Sequence, residues 1–466
     1  MVSFQSGMKL VMGIIGIVII ISAIVWLFVE KTLTGIGKAA VFGLILLGVG
    51  AIAWIIFGYL PLFDNAAGNN DFASEPRYTA QIALLTEAYS SLADKKRPVT
   101  ELLPTLASLT TEQVMPEVQQ NFVNFFALGC RFAGYVGPME SGYFDAGNAV
   151  QAAVNAGCRV FVLDIDYIDD CREQNVRYFP RLVVRDSQGK MLIQMNSTRP
   201  ICNSLSKSNI YDVCKEIETR AFGSSCQNNT DPIVLVLYFL RTPPGVYNSK
   251  AVLDYYSKVA KCLAPLKDRM VTTLLDGGNF YRQSQESRLL INNISDYNNK
   301  VLVFSNANTN GFREVQTYST DDDLDYMIHL RLAYTQTQLG ITQQDAQFGI
   351  LETAENYMII PQSRNDQVIN AGKQKWTICL AKDPTQTIPA ETYTKITNTY
   401  GVNCVPAILF NTDASKYLFS ESLFNKYSFL PKPKLIRYIK PPVVSAGSIS
   451  QVVNANQGNL RPPATS

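Results

Sequence analysis

Histidine is almost missing from this chain: a single residue, His329, stands among 466. A mechanism that sets an imidazole acid against an imidazole base is therefore excluded from the start. His329 falls within 325–333, a stretch with helical spacing, which gives the lone imidazole a structural role. An excess of charge is missing too. Lys and Arg number 41 against 39 Asp and Glu, and the resulting net charge of +2 gives no electrostatic footing for nucleic acid. The nine cysteines contain no C-x-x-C pair, which excludes a zinc ribbon or a thioredoxin-type site. They read as reduced, buried thiols, with Cys202, Cys214 and Cys226 able to pair only in an oxidising lumen. The sequons at Asn196, Asn228 and Asn293 would matter in that setting alone. No early G-x-G-x-x-G motif marks a dinucleotide-binding sheet.

What is abundant is apolar sequence. Residues 10–29 and 39–60 are uncharged apolar runs, each about the 20 residues needed to cross a hydrocarbon core. They are expected to form a transmembrane helical hairpin within 1–63, making an integral, multi-pass membrane protein with the lipid bilayer as its first partner. Gly13, Gly16, Gly43, Gly48 and Gly50 would let helices approach closely, and Trp26, Trp54 and Tyr59 suit the interfaces. Residues 64–128 then read as a tether and helical neck, and 129–440 as the main domain. Residues 441–466, rich in Ser, Asn, Gln, Gly and Pro, read as a flexible tail.

Within the main domain, strand-like runs at 160–163, 182–184, 233–239, 301–304, 376–380 and 407–410 are separated by longer segments. Helix-like segments fall at 146–155, 208–221, 249–263, 323–331 and 392–399. This alternation predicts parallel βα units. With more than 300 residues after the neck, the fold expected is α/β, a TIM (β/α)8-type barrel. Residues 185–190, Arg-Asp-Ser-Gln-Gly-Lys, add a hairpin signal linking 182–184 to 191–195.

The stretch Gly157-Cys-Arg-Val-Phe-Val-Leu-Asp-Ile-Asp166 resembles the strand of the X domain of phosphatidylinositol-specific phospholipase C that reads G-C-R-hydrophobic-E-L-D. The likeness runs on through 181–190, the helix ending at Phe222, the proline-led strand at 231–239 and the strand at 300–304. It covers roughly 129–306 in the right order. The resemblance implies a PLC-like phosphodiesterase barrel. It does not carry that family's chemistry across. The family's first histidine would fall within 134–138 and its second near 194–196, and neither segment holds one. Of the carboxylates that hold calcium in the calcium-dependent members, only Asp164 survives. The other positions carry Val162 and Tyr238.

Two candidate sites follow. Asp164 and Asp166, at the end of an apolar strand, could hold Mg²⁺ or Ca²⁺ with substrate phosphates, since active sites of such barrels sit at strand C-termini. The same carboxylates could instead pair with Arg131 or Arg159. Lys432, Lys434, Arg437 and Lys440, in a Pro-rich segment, could contact a partner or anionic headgroups, or belong to a strap closing the barrel. Acidic residues at 320–325 open a helix and read as caps.

The first function expected is a membrane-anchored, non-catalytic PLC-like barrel without a cofactor, a structural or interaction module. The sparse histidine and Asn/Tyr-rich composition point to a virion or host internal membrane, with other membrane or capsid proteins as partners. The alternatives are a divalent-metal-dependent phosphodiesterase or phosphatase using Asp164 and Asp166, and a non-hydrolysing phospholipid headgroup binder.

Overall fold

The computed structural model describes residues 76–108, 114–138, 143–171, 176–185, 188, 209–271, 288–315, 317–319, 321–334, 348–384, 388–410 and 424–440. The long helices are α1 (Pro76–Tyr89), α2 (Val99–Ser108), α3 (Ala146–Ala156), α4 (Asn209–Ala221), α5 (Lys250–Cys262), α6 (Asn365–Gln374) and α7 (Ala390–Asn398). The strands are β1 (Phe125–Ala127), β2 (Gly129–Arg131), β3 (Val160–Cys171), β4 (Val176–Leu182), β5 (Ile233–Phe239), β6 (Val301–Ser305), β7 (Leu330–Tyr334), β8 (Gly349–Thr353), β9 (Trp376–Leu380) and β10 (Phe429–Pro431).

Seven strands pair side by side in the order β2, β3, β5, β6, β7, β8, β9, and every pairing along that path is parallel. The sheet curls until its ends are joined through one short segment. Cys404 bridges to Ile378 on β9, and Ala407 bridges to Cys130 on β2, both in parallel sense. The backbone bonds Cys379 N–H to Cys404 O at 2.9 Å and Ala407 N–H to Gly129 O at 2.9 Å complete the circuit. The architecture is mixed α/β with a curled parallel sheet of TIM-like form. β4 folds back antiparallel on β3, so the partner of that strand is its immediate successor. The hairpin predicted at 185–190 lies mostly outside the described residues.

Local sequence explains the elements. β5 is an unbroken apolar run, IVLVLYF, as a strand covered on both faces requires. α3 is capped by Asp145, whose side chain accepts from Asn148 N–H at 3.0 Å, and stops at Gly157, with φ of 91°. A Cβ at Gly157 would collide with the Lys96 side chain. Period-2 alternation sorts the strand residues into two cores. Val160, Val162, Val234, Val236, Leu302 and Phe304 join Trp376 and Ile378 in one cluster, which fills the barrel interior. Phe161, Leu163, Leu235, Leu237 and Val303 join residues of α3, α4 and α5 in the other.

The segment expected as a neck is packed onto this body. Leu85 and Tyr89 of α1 belong to the helix-side core, and Tyr89 Oη donates to Leu409 O at 2.9 Å. The multi-pass membrane localisation expected from the sequence needs correction. Among the described residues no helix is long and apolar enough to cross a membrane. Runs 10–29 and 39–60, which prompted that expectation, lie outside the described residues, as does the tail from 441.

Candidate functional site

The C-terminal ends of β2 and β5 meet the middle of β3 at the mouth of the barrel, and charge sits there in paired form. Arg131, the last residue of β2, faces Asp164 on β3 across the sheet. Its Nε donates to Asp164 Oδ1 at 3.0 Å, and a second guanidinium nitrogen donates to Oδ2 at 2.6 Å. This is the bidentate fork that guanidinium and carboxylate geometry favours. The remaining nitrogen donates to Ala381 O at 2.7 Å, just past β9, so one side chain spans the opening. Arg131 also lies over the rings of Phe132 and Tyr238, at 4.7 and 5.7 Å from their centroids. Both partners are buried. Burial pushes the Asp164 pKa up, against the pull of the Arg131 charge and its hydrogen bonds. Burial likewise raises that of Tyr238.

Asp166, two residues further along β3, is fully buried and engaged separately. Oδ1 accepts from Arg241 Nε at 2.6 Å and from the Tyr167 amide at 2.7 Å. Oδ2 accepts from Arg185 Nε at 2.8 Å and from a second nitrogen of the same guanidinium. The sequence pairs Asp164 and Asp166 as one cation site, but the fold gives each its own arginine set. The two strand-end carboxylates suggest a hard divalent cation here, and the donor set does not fit one. Both oxygens of each carboxylate accept from guanidinium, and six to eight oxygen ligands are not at hand. Among the described residues no group of three His, Cys, Asp or Glu could hold a metal.

The one imidazole is elsewhere. His329 lies at the N-terminal end of β7, fully buried, in an irregular link between a short helix, Leu324–Met327, and the strand. The helix expected over 323–331 is thus only four residues long. His329 Nδ1 accepts from Val303 N–H at 2.8 Å, while His329 N–H donates to Val303 O at 2.8 Å. The imidazole stands in for a ladder carbonyl, which is structural work. At 134–138, where the resemblance places the first catalytic histidine, Tyr135 is buried and donates to Leu182 O at 2.8 Å. The second position, near 194–196, lies outside the described residues.

The basic segment divides. Lys432 and Arg437 are buried, while Lys434 and Lys440 are exposed. Lys432 Nζ donates to Gly372 O at 2.9 Å and Asn403 Oδ1 at 3.1 Å, and Arg437 donates to Lys432 O at 2.6 Å and Val114 O at 2.7 Å. β10 pairs antiparallel with β1 just before them. This segment is a strap across the base of the barrel, and a contact role is open only to Lys434 and Lys440. The seven described cysteines are free and buried. Sequence reasoning missed Arg185 and Arg241 as partners of Asp166, because neither spacing nor periodicity marks them.

No protein-family model matches the sequence, and neither does any curated protein. Solved structures of similar shape include PLC21 of S. officinalis, with TM-score 0.43 and 10% identity, covering 70% of this chain and 38% of that one. PLC21 of L. pealei gives 0.43 and 12%, covering 80% and 46%. The calcium-dependent phosphoinositol-specific phospholipase C of a Pseudomonas sp. gives 0.39 and 12%, covering 68% and 97%. The chain thus matches less than half the length of either PLC21. At these values the likenesses assign neither activity nor ligand to the chain.

Proposed function

We propose that this protein is a non-catalytic, PLC-like barrel that serves as a structural or interaction module. The observation that carries the reading is the Arg131–Asp164 pair. It fills the strand-end position where a barrel enzyme of this type presents its reactive groups, and it ties the carboxylate there into a guanidinium fork. A general acid or base must reach substrate in a usable protonation state. Here Asp164 and Asp166 are held by guanidinium, and guanidinium itself stays protonated. His329 is locked into the sheet at the opposite end of its strand.

The test is turnover. Purified full-length protein incubated with phosphatidylinositol, and separately with bis(p-nitrophenyl) phosphate, in Ca²⁺, Mg²⁺ or Mn²⁺, is expected to release product no faster than the buffer. Metal-dependent release that disappears in Asp164→Asn would overturn the reading in favour of a phosphodiesterase.

A further inference from the structure

One arginine at this end of the barrel forms no salt bridge among the described residues. Arg181 stands opposite Asp166 in the β3–β4 register, yet Asp166 already accepts from four donors, the Tyr167 amide, Arg241 Nε and two nitrogens of Arg185. A carboxylate has about four lone-pair positions, so nothing is left for a fifth donor. Arg181 Nε is buried with no hydrogen-bond partner, and no ion pair is made by this side chain among the described residues. Its surroundings add to its charge. Arg185 and Arg241 both press on it electrostatically, and the Asp166 carboxylate is the charge that offsets them. The guanidinium groups of Arg181, Arg185 and Arg241 therefore lie around the Asp166 carboxylate. Holding a partly buried cation without an acceptor is costly, and a guanidinium fork suits the oxygens of a tetrahedral anion.

We propose that Arg181 anchors a dianionic tetrahedral oxyanion, a phosphomonoester or sulfate, on the shoulder formed by β3 and β4. Arg185 and Arg241, held by Asp166, supply positive field, and Arg181 supplies the open donors. The site is separate from the Arg131–Asp164 plug and stands whether or not that plug makes the barrel inert.

Calorimetric titration of the full chain with inorganic phosphate, sulfate, glycerol 2-phosphate and soluble short-chain phosphatidic acid tests this, with thermal melts in parallel. One-site binding of the dianions is expected, weakening as salt rises, with a phosphate-dependent rise in Tm. Arg181→Gln should raise the Kd by about tenfold or more, and Arg181→Lys, which keeps charge but loses the fork, should fall between. Equal affinity for glycerol 2-phosphate and short-chain phosphatidic acid would identify the phosphate group alone as the ligand. Tighter binding of the latter would identify a lipid source. Because Arg181→Gln removes an unpaired cation, its own melt without anion should match or exceed that of the wild type. Absence of binding to every dianion by the wild type, or an unchanged Kd in a folded Arg181→Gln, would overturn the proposal.

Discussion

The two ends of the barrel bury charge in opposite ways. At the mouth, Asp164 and Asp166 are each matched to guanidinium groups. At the base, cations are tied to neutral oxygens instead. Lys96 Nζ donates to Phe424 O, Lys432 Nζ to Gly372 O, and Arg159 to Ala221 O at 3.0 Å and Asn228 Oδ1 at 2.7 Å. The buried carboxylate there, Asp231, accepts from Val99 N–H at 2.7 Å. Carbonyl oxygens satisfy donors without neutralising charge, so Lys96 and Lys432 shift their pKa values toward the neutral form. Burial lowers Lys432 to about 7 and Lys96 to about 8, and raises Asp231 to about 6. The mouth is therefore expected to be sensitive to removal of a partner, and the base to pH.

The largest effect should come from breaking the mouth pair on one side. Asp164→Ala leaves Arg131 buried and uncompensated, a loss of about 3–5 kcal/mol in urea unfolding. The double variant Arg131→Met with Asp164→Leu should recover most of it, because a buried pair is often no better than apolar packing of similar volume. If the single and double variants lose the same amount, the charges are not coupled.

Next comes Lys432. A depressed folded pKa gives stability that is complete above the unfolded value of 10.5 and is lost as pH falls through about 7. Unfolding free energy of the wild type should climb across that window, and Lys432→Met should remove about 2–4 kcal/mol of the climb. A smaller change of opposite slope is expected for Asp231. Its raised folded pKa gives stability that is complete below 3.8 and is lost as pH rises through about 6. Asp231→Asn keeps an acceptor for Val99 and should flatten that fall, a change of about 1–3 kcal/mol. Parallel pH profiles for the variant and the wild type would place the pH dependence elsewhere. Last, Lys434→Gln and Lys440→Gln, on the exposed side of the strap, should move stability by less than about 0.5 kcal/mol.

How much of this the sequence discloses follows from where each signal is local. The unbroken run of β5 and the alanine-rich face of α3 are readable because burial on both faces and helical propensity are written in consecutive residues. β7 and β8 escape, since LRLAY and GILET are five residues each and carry polar positions. The polar Asp-rich lead into β7 made 323–331 read as one helix, when tertiary pairing with β6 decides its end as a strand. The run at 407–410, which reads as a strand, is instead irregular backbone, and the segment 404–407 joins β9 to β2 through single bridges, a long-range feature. At the site, Arg131 is a foreseeable partner of Asp164. The other arginine named beside it, Arg159, goes to the base because it precedes β3 and so sits at the strand's opposite end. Arg185 and Arg241 reach Asp166 from the segments just after β4 and β5, and no sequence spacing records that convergence.

The central claim is that Arg131 occupies Asp164 in place of a metal. Calorimetric titration of the purified full chain with Ca²⁺ tests it most directly, read beside Arg131→Met. The account predicts no saturable heat from the wild type. Saturable Ca²⁺ binding by the wild type that is abolished in Asp164→Asn would contradict it.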